Sequence, residues 1–472
     1  MRVLCRWLVI LGLVPVSGVL AQPCTTSWAA PQSGAWSDDA NWTNGAPGAS
    51  DTACITETGT YAVTLDRDQD LATLVVGGAT GTQTLLLNRT LTSLGEGTIG
   101  ANGVVQVNTC AGCGGLPEVT GTLTVEGTLV HTTGASLLRD GGTVDIAPGG
   151  TLRVRTGLNT VAIGSLTPGN RSRVIVRGTL VFDAEGQIPR LATLSGIFDL
   201  DGGTVVVPAG EARVQGSGRW TGGTFDVSDG GTLRFFPSPG DLSDAYEVSG
   251  VLSGTPTGLV GFESSALAAA PGGVTLDVGG QGLQMFAGSG ALVRWRSTGG
   301  EITNTGRLTI LGNGVAMEQV VVRNEGVFET SVPTRLNRGA VFRNTPSGTV
   351  NLIGGSADVV TDGSGRFVNE GILVASGIGR SSFMGTLRSR AGSEIRTEAG
   401  AEIQLDPPGS ASVPAGTRLT GNGTVRLVQT QQQGDLFIGG TVSPGTETQP
   451  IDTLRTRDWL LFNPTSGTAR LV

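Results

Sequence analysis

The chain has 472 residues, of which 77 are glycine and 21 proline, against a usual glycine share of about 7%. Charged residues make up 15%, aromatics 5% and hydrophobic residues 38%, a mixture too apolar for intrinsic disorder, and the absence of a Gly-X-Y period excludes collagen. The net charge is −8 and all basic residues are arginine, which excludes lysine Schiff bases, a P-loop lysine and lysine cross-links. In the sequence the arginines are scattered and form no basic stripe with interleaved aromatics, so nucleic acid is not an expected partner.

Residues 1–21 read as a secretion signal. Arg2 and Arg6 precede an apolar run from Trp7 to Val14, and Val19-Leu20-Ala21 suits cleavage after Ala21. No other apolar stretch is long enough for a membrane-spanning helix, so an exported protein is expected. Removing Cys5 with the signal leaves Cys24, Cys54, Cys110 and Cys113. Four cysteines allow three pairings; proximity in sequence favours Cys24–Cys54 and Cys110–Cys113, ahead of a zinc site or a redox pair. Trp28, Trp36 and Trp42 could form a sugar-stacking platform, although aromatics beside a disulfide at an open solenoid end are better suited to sealing its core. Asp66, Asp68 and Asp70 alternate as an EF-hand loop begins, but Leu71 and Gly77 stand where that loop needs Gly and Glu, leaving a looser calcium site or a solvated turn. No other cofactor is expected.

The single histidine, His131, lies in the strand-like run Leu129–Thr133, so any Ser-His-Asp or Cys-His arrangement would have to use a residue that reads as an ordinary strand position. Next comes an internal repeat. Residues 141–154 (GGTVDIAPGGTLRV) match residues 222–235 (GGTFDVSDGGTLRF), and a weaker copy starts at Gly202. A second series places Asn304, Asn324, Asn344 and Asn369 before glycines, each ahead of an alternating run. A period of about 20 to 25 residues, with short strands between Gly/Asn turns, predicts an all-β fold: a right-handed parallel β-helix whose stacked coils bury one face of every strand. Gly and Asn are read here as left-handed corner residues. The best helical candidate is Glu263 to Ala270, before Pro271. The predicted divisions are an N-terminal cap and first coils over 22–115, Gly-Gly-Thr coils over 116–240, an irregular stretch with loops over 241–300, and Asn-x-Gly coils over 301–472.

Two groups of residues carry a family resemblance. Gly34-Ala-Trp-Ser-Asp-Asp-Ala-Asn-Trp42, with Gly45, Pro47, Asp51-Thr-Ala53 and Val63-Thr-Leu-Asp66, resembles the opening cap of bacterial extracellular β-solenoids related to autotransporter passengers and adhesins. Leu419-Thr-Gly-Asn-Gly-Thr-Val425 and Gly440-Thr-Val-Ser-Pro-Gly445 resemble the coils near the far end of such proteins. The resemblance implies a bacterial, secreted or cell-surface protein acting in adhesion or matrix building, with glycans, matrix or other cells as partners. The run Thr468–Val472 shows no terminal aromatic, barrel pattern or sorting tail, so release from the cell or a truncated sequence is expected.

The alternative is a polysaccharide lyase or glycoside hydrolase on the same scaffold, for which Asp38/Asp39 and Asp199/Asp201 are the available carboxylate pairs. A third reading, an ice- or surface-binding face, would use Thr143, Thr204 and Thr224, but no regular Thr-x-Thr array follows them.

Overall fold

The computed structural model describes residues 23–107, 117–132, 137–139, 141–155, 161–164, 171–183, 191–236, 245–263, 266–287, 292–384, 386–405, 412–413, 417–421, 423–427, 437–438, 441–442 and 453–456. Residues 1–21, read above as a signal, and Cys110 and Cys113 lie outside them. Within them, strand follows strand, and each strand pairs in parallel with the equivalent strand of the next coil. Alternation in the sequence sets the inside and the outside. In Thr151–Arg155, Leu152 and Val154 are buried while Thr151, Arg153 and Arg155 face outward, as the period of two in an extended strand requires.

The coils have three faces. The first contains Thr143–Ile146, Arg173–Val176 and the middle of Leu191–Val207, from Ile197 to Leu200, in register. The second runs unbroken from Gly34–Ala35 through Tyr61–Leu65, Thr151–Arg155 and Val341–Asn344 to Phe437–Ile438. The third carries Gly231–Phe236, Leu259–Glu263, Leu283–Ala287 and Arg307–Gly312. Register offsets between successive coils range from 19 residues, at Val315 and Thr334, to 31, at Val161 and Ala192. The solenoid passes through all the predicted boundaries, including 241–300, where Ala245–Gly254, Ala266–Val278 and Glu301–Asn304 stay in register.

The core is a continuous column. At its centre Trp220, fully buried, is surrounded by Phe198, Phe225, Phe235, Tyr246 and Phe262 at ring-centroid separations of 4.8 to 6.2 Å. Further along, Phe328, Phe342, Phe367 and Phe383 stack in sequence at about 5 Å.

The Gly149-Gly150 pair divides two tasks. At the corner after Thr143–Ile146, Gly149 has φ +87°, a left-handed conformation that glycine adopts freely. A Cβ on its neighbour Gly150 would lie 1.9 Å from the carbonyl oxygen of Val125 on the preceding coil, so the second glycine permits close stacking. The motif encodes strand, corner and strand without specifying the face. Thr143–Ile146 lies on the first face, whereas Thr224 to Val227 lies on the second, one coil from Thr204. The 81-residue offset is therefore not a whole number of coils.

Two local expectations are corrected. The candidate helix ending at Ala270 belongs to the strand Ala266–Val278, with Leu267 and Ala269 buried and pairing on both sides. An isolated two-turn helix is marginal, and ladder pairing overrides its propensity. The series asparagines are not left-handed: among the described residues the positive-φ residues other than glycine are Gln319 and Arg338. Asn304, Asn324, Asn344 and Asn369 point into the core. Helical structure among the described residues is a single 3-10 turn, Asp39–Asn41.

Candidate functional site

The first coil is closed by the three tryptophans. Trp28 and Trp36 each meet Trp42 edge-on, at 5.1 and 4.7 Å between ring centroids. Their exposures are 1%, 0% and 4% for Trp28, Trp36 and Trp42, so no ring face is open to a sugar. The platform reading is thus corrected: these rings cover the apolar end of the column, where unpaired strand edges and core side chains would otherwise meet water. Trp42 Nε1 donates to the Trp36 carbonyl at 2.8 Å and Trp28 Nε1 to that of Gln32 at 2.9 Å. The Cys24–Cys54 disulfide is formed, with Cα atoms 5.8 Å apart, and ties the start of the described chain to the strand Thr52–Ile55.

The alternating aspartates do not converge. Asp66 accepts from the Ser37 backbone N–H at 3.0 Å and from its hydroxyl at 2.6 Å. Burial pushes the Asp66 carboxyl up, but these two bonds outweigh it and hold it below the usual range. Asp68 accepts from the Thr90 N–H at 3.0 Å, and Asp70 accepts from the Thr92 hydroxyl on the next coil. Each carboxylate thus joins two coils separately. Among the described residues no three His, Cys, Asp or Glu side chains are grouped to hold a metal ion. His131 is fully buried in the core, in register with Val107 and Val154.

The carboxylate pairs considered for catalysis are also engaged. Asp38 accepts from the Ala40 N–H at 3.1 Å and Asp39 from the Ala46 N–H at 3.0 Å, which shapes the turn beneath the cap. Asp199, 5% exposed, is ion-paired with Arg173 and accepts from the Arg219 N–H at 2.7 Å; Asp201 accepts from the Thr221 hydroxyl. Two coils away, Asp145 pairs with Arg177, yet its carboxyl is raised, first by burial and also by the charge of Asp201, against the pull of Arg177 and Arg173.

The flank therefore presents ordered files of outward side chains. Arg153–Asp183 at 2.7 Å, Arg307–Glu329 at 2.7 Å and Arg213–Glu211 at 2.7 Å are examples of ion pairs along it, each of which stabilises an exposed surface by about 0–1 kcal/mol. On the second face Thr128, Thr151, Thr179, Thr204 and Thr224 form one file across five consecutive coils. The neighbouring file is Val130, Arg153, Val181, Val206 and Asp226, so no second threonine file accompanies it. The sequence concealed this array because corner lengths vary between its members. Shallow corner grooves interrupt the flank, among them one of about 440 Å3 lined by Ile378, Arg380, Glu402 and Thr424 and one of about 290 Å3 lined by Asp229, Thr232, Thr257 and Gln284. Among the described residues no helix is long and apolar enough to cross a membrane.

No family model, no curated protein and no solved structure matches the chain.

Proposed function

We propose that the protein is exported and acts outside the cell as a non-enzymatic β-solenoid in adhesion or extracellular matrix, holding glycans or surfaces through many weak contacts along its flank. The observation that carries this reading is the flank itself: outward side chains repeat in files at one-coil spacing, about 4.8 Å, over the length of the ladder. A repeating surface suits a repeating ligand, because weak contacts at matched spacing add through multivalency. The Cys24–Cys54 disulfide supports an oxidising, extracellular setting. The resemblance of the cap and terminal coils to bacterial surface solenoids supports the same setting.

The engaged oxygens of Asp38, Asp39, Asp199 and Asp201 argue against the enzymatic alternative. The test is retention of the purified protein on immobilised acidic and neutral polysaccharides, with and without calcium, while new chain ends are assayed in the same samples. Retention without new ends is expected. New ends that disappear with Asp199→Asn would overturn the reading in favour of a lyase or hydrolase.

A further inference from the structure

Arginines of the first and third faces are commonly matched to carboxylates on neighbouring coils, as in Arg173–Asp199, Arg234–Glu263 and Arg307–Glu329. The second face changes this pattern in its C-terminal half. Arg323 and Arg343 are register partners on successive coils. Arg366 stands on the following coil, opposite Val341, and Arg388 on the coil after that, opposite Val368 and so in the file of Arg343. In the sequence these four residues are 20, 23 and 22 positions apart, a spacing that only coil stacking turns into a stripe.

Arg323 is paired with Glu325. Arg343, Arg366 and Arg388 are exposed, and among the described residues none of their guanidinium groups has an ion-pair or hydrogen-bond partner. At about 4.8 Å per coil and 3.3 Å per residue, Arg343 and Arg388 emerge about 10 Å apart, with Arg366 between them and about 7 Å to one side. The surrounding carboxylates are committed elsewhere. Glu370 pairs with Arg390 at 3.0 Å, and Asp362 accepts from the backbone N–H groups of Arg338, Ser364 and Gly365. The nearest acidic residues on the preceding coils of the same face are Glu301 and Asp277.

Three unpaired guanidinium groups on a rigid sheet repel one another, and each offers a planar fork of donors suited to a carboxylate or sulfate. Resting on the glycan-binding reading above, we infer that this stripe is the docking surface for a linear acidic polysaccharide lying along the solenoid axis. An extended sugar chain advances by close to one coil spacing per residue, so successive anionic groups meet successive coils. Nucleic acid fits less well. Its denser phosphate charge faces a chain of net charge −8, and the aromatic rings here, Phe342 and Phe367, are buried beneath the face and cannot stack on bases.

The test compares the wild-type protein, Arg343→Gln/Arg366→Gln/Arg388→Gln, and a control, Arg294→Gln/Arg335→Gln, which removes two exposed arginines of the first face. Binding to polygalacturonate, dextran and single-stranded DNA is measured by calorimetry, after thermal unfolding confirms that the variants fold. Polygalacturonate is expected to bind the wild type and the control alike and to weaken about tenfold or more in the triple variant, a loss of about 1.4 kcal/mol. Binding should also weaken as salt rises from about 0.05 to 0.3 M. Equal binding by the triple variant, equal loss in the control, or binding to dextran alone would overturn the stripe and leave the glycan reading standing. Tighter binding of DNA than polygalacturonate would overturn the ligand class. No binding to either polysaccharide would overturn both readings.

Discussion

Asn324 donates from Nδ2 to Oδ1 of Asn344 at 2.8 Å, and both side chains are completely buried. The contact is one step of a ladder. Asn304 donates to Asn324 at 2.7 Å, Asn344 to Asn369 at 2.8 Å, and Asn369 to the Glu394 carbonyl at 3.2 Å. The second amide proton of each of the first three also reaches a backbone carbonyl, of Val327, Thr349 and Ile372 respectively. A buried amide is tolerated because each step satisfies the next.

Asn344→Leu breaks the ladder in the middle. It strands a proton of Asn324 and the Oδ1 of Asn369, at about 1–3 kcal/mol for each stranded group. Asn304→Leu should cost less, because Asn304 Oδ1 already lacks a partner and its neighbour on the preceding coil is Leu276. Denaturant unfolding of the two variants checks the order; equal losses would contradict it.

Reduction of Cys24–Cys54, which spans 30 residues, removes a constraint worth about 3–4 kcal/mol by loop-closure entropy. Since each coil contacts mainly its neighbours, the loss should be local. Hydrogen exchange in Cys24→Ser/Cys54→Ser is expected to speed up in the cap around Trp28 and Trp42 and to stay unchanged around Asn344.

Trp220→Ala should cost about 3–5 kcal/mol, the range for a large aromatic leaving a cavity. Its ring touches residues from Phe198 to Phe262, so those coils should lose exchange protection first. Uniform loss across the chain would show the solenoid to be one cooperative unit.

The Asp362 carboxyl is held down to about 2, chiefly by the Ser364 hydroxyl and the Arg338 N–H. A folded-state value below the ordinary 3.8 means that this stabilisation is present above pH 3.8 and is lost as pH falls through about 2. Wild-type stability should therefore drop across that window more than that of Asp362→Asn. Parallel acid titrations monitored by circular dichroism check this.

The sequence revealed strands and corners more readily than the roles of particular side chains. Alternation in Thr151–Arg155 and the Gly149-Gly150 pair are local signals, and local physics settles them. The asparagines showed their spacing but not their purpose, because an amide ladder exists only once coils stack. The arginine stripe and the threonine file were hidden for the same reason: both are properties of register between residues 20 or more positions apart. The Ala-rich run before Pro271 misled because its propensity is helical while its neighbours on both sides offer strand pairing. The tryptophans gave their place in the cap through the nearby disulfide, and only their mutual edge-on packing removes them as a ligand surface.

Coil stacking that turns distant residues into flank files is the central claim, and a distance measurement tests it most directly. Spin labels carried on genetically encoded ketone side chains at Thr128 and Thr224, four coils apart in one file, should lie about 19 Å apart; moving the second label to Thr305, three coils further, should give about 34 Å. Narrow distributions that lengthen by about one strand spacing per coil are the expected result. Equal distances for the two pairs, or broad distributions for both, would contradict the stacking and with it every surface assigned to the flank.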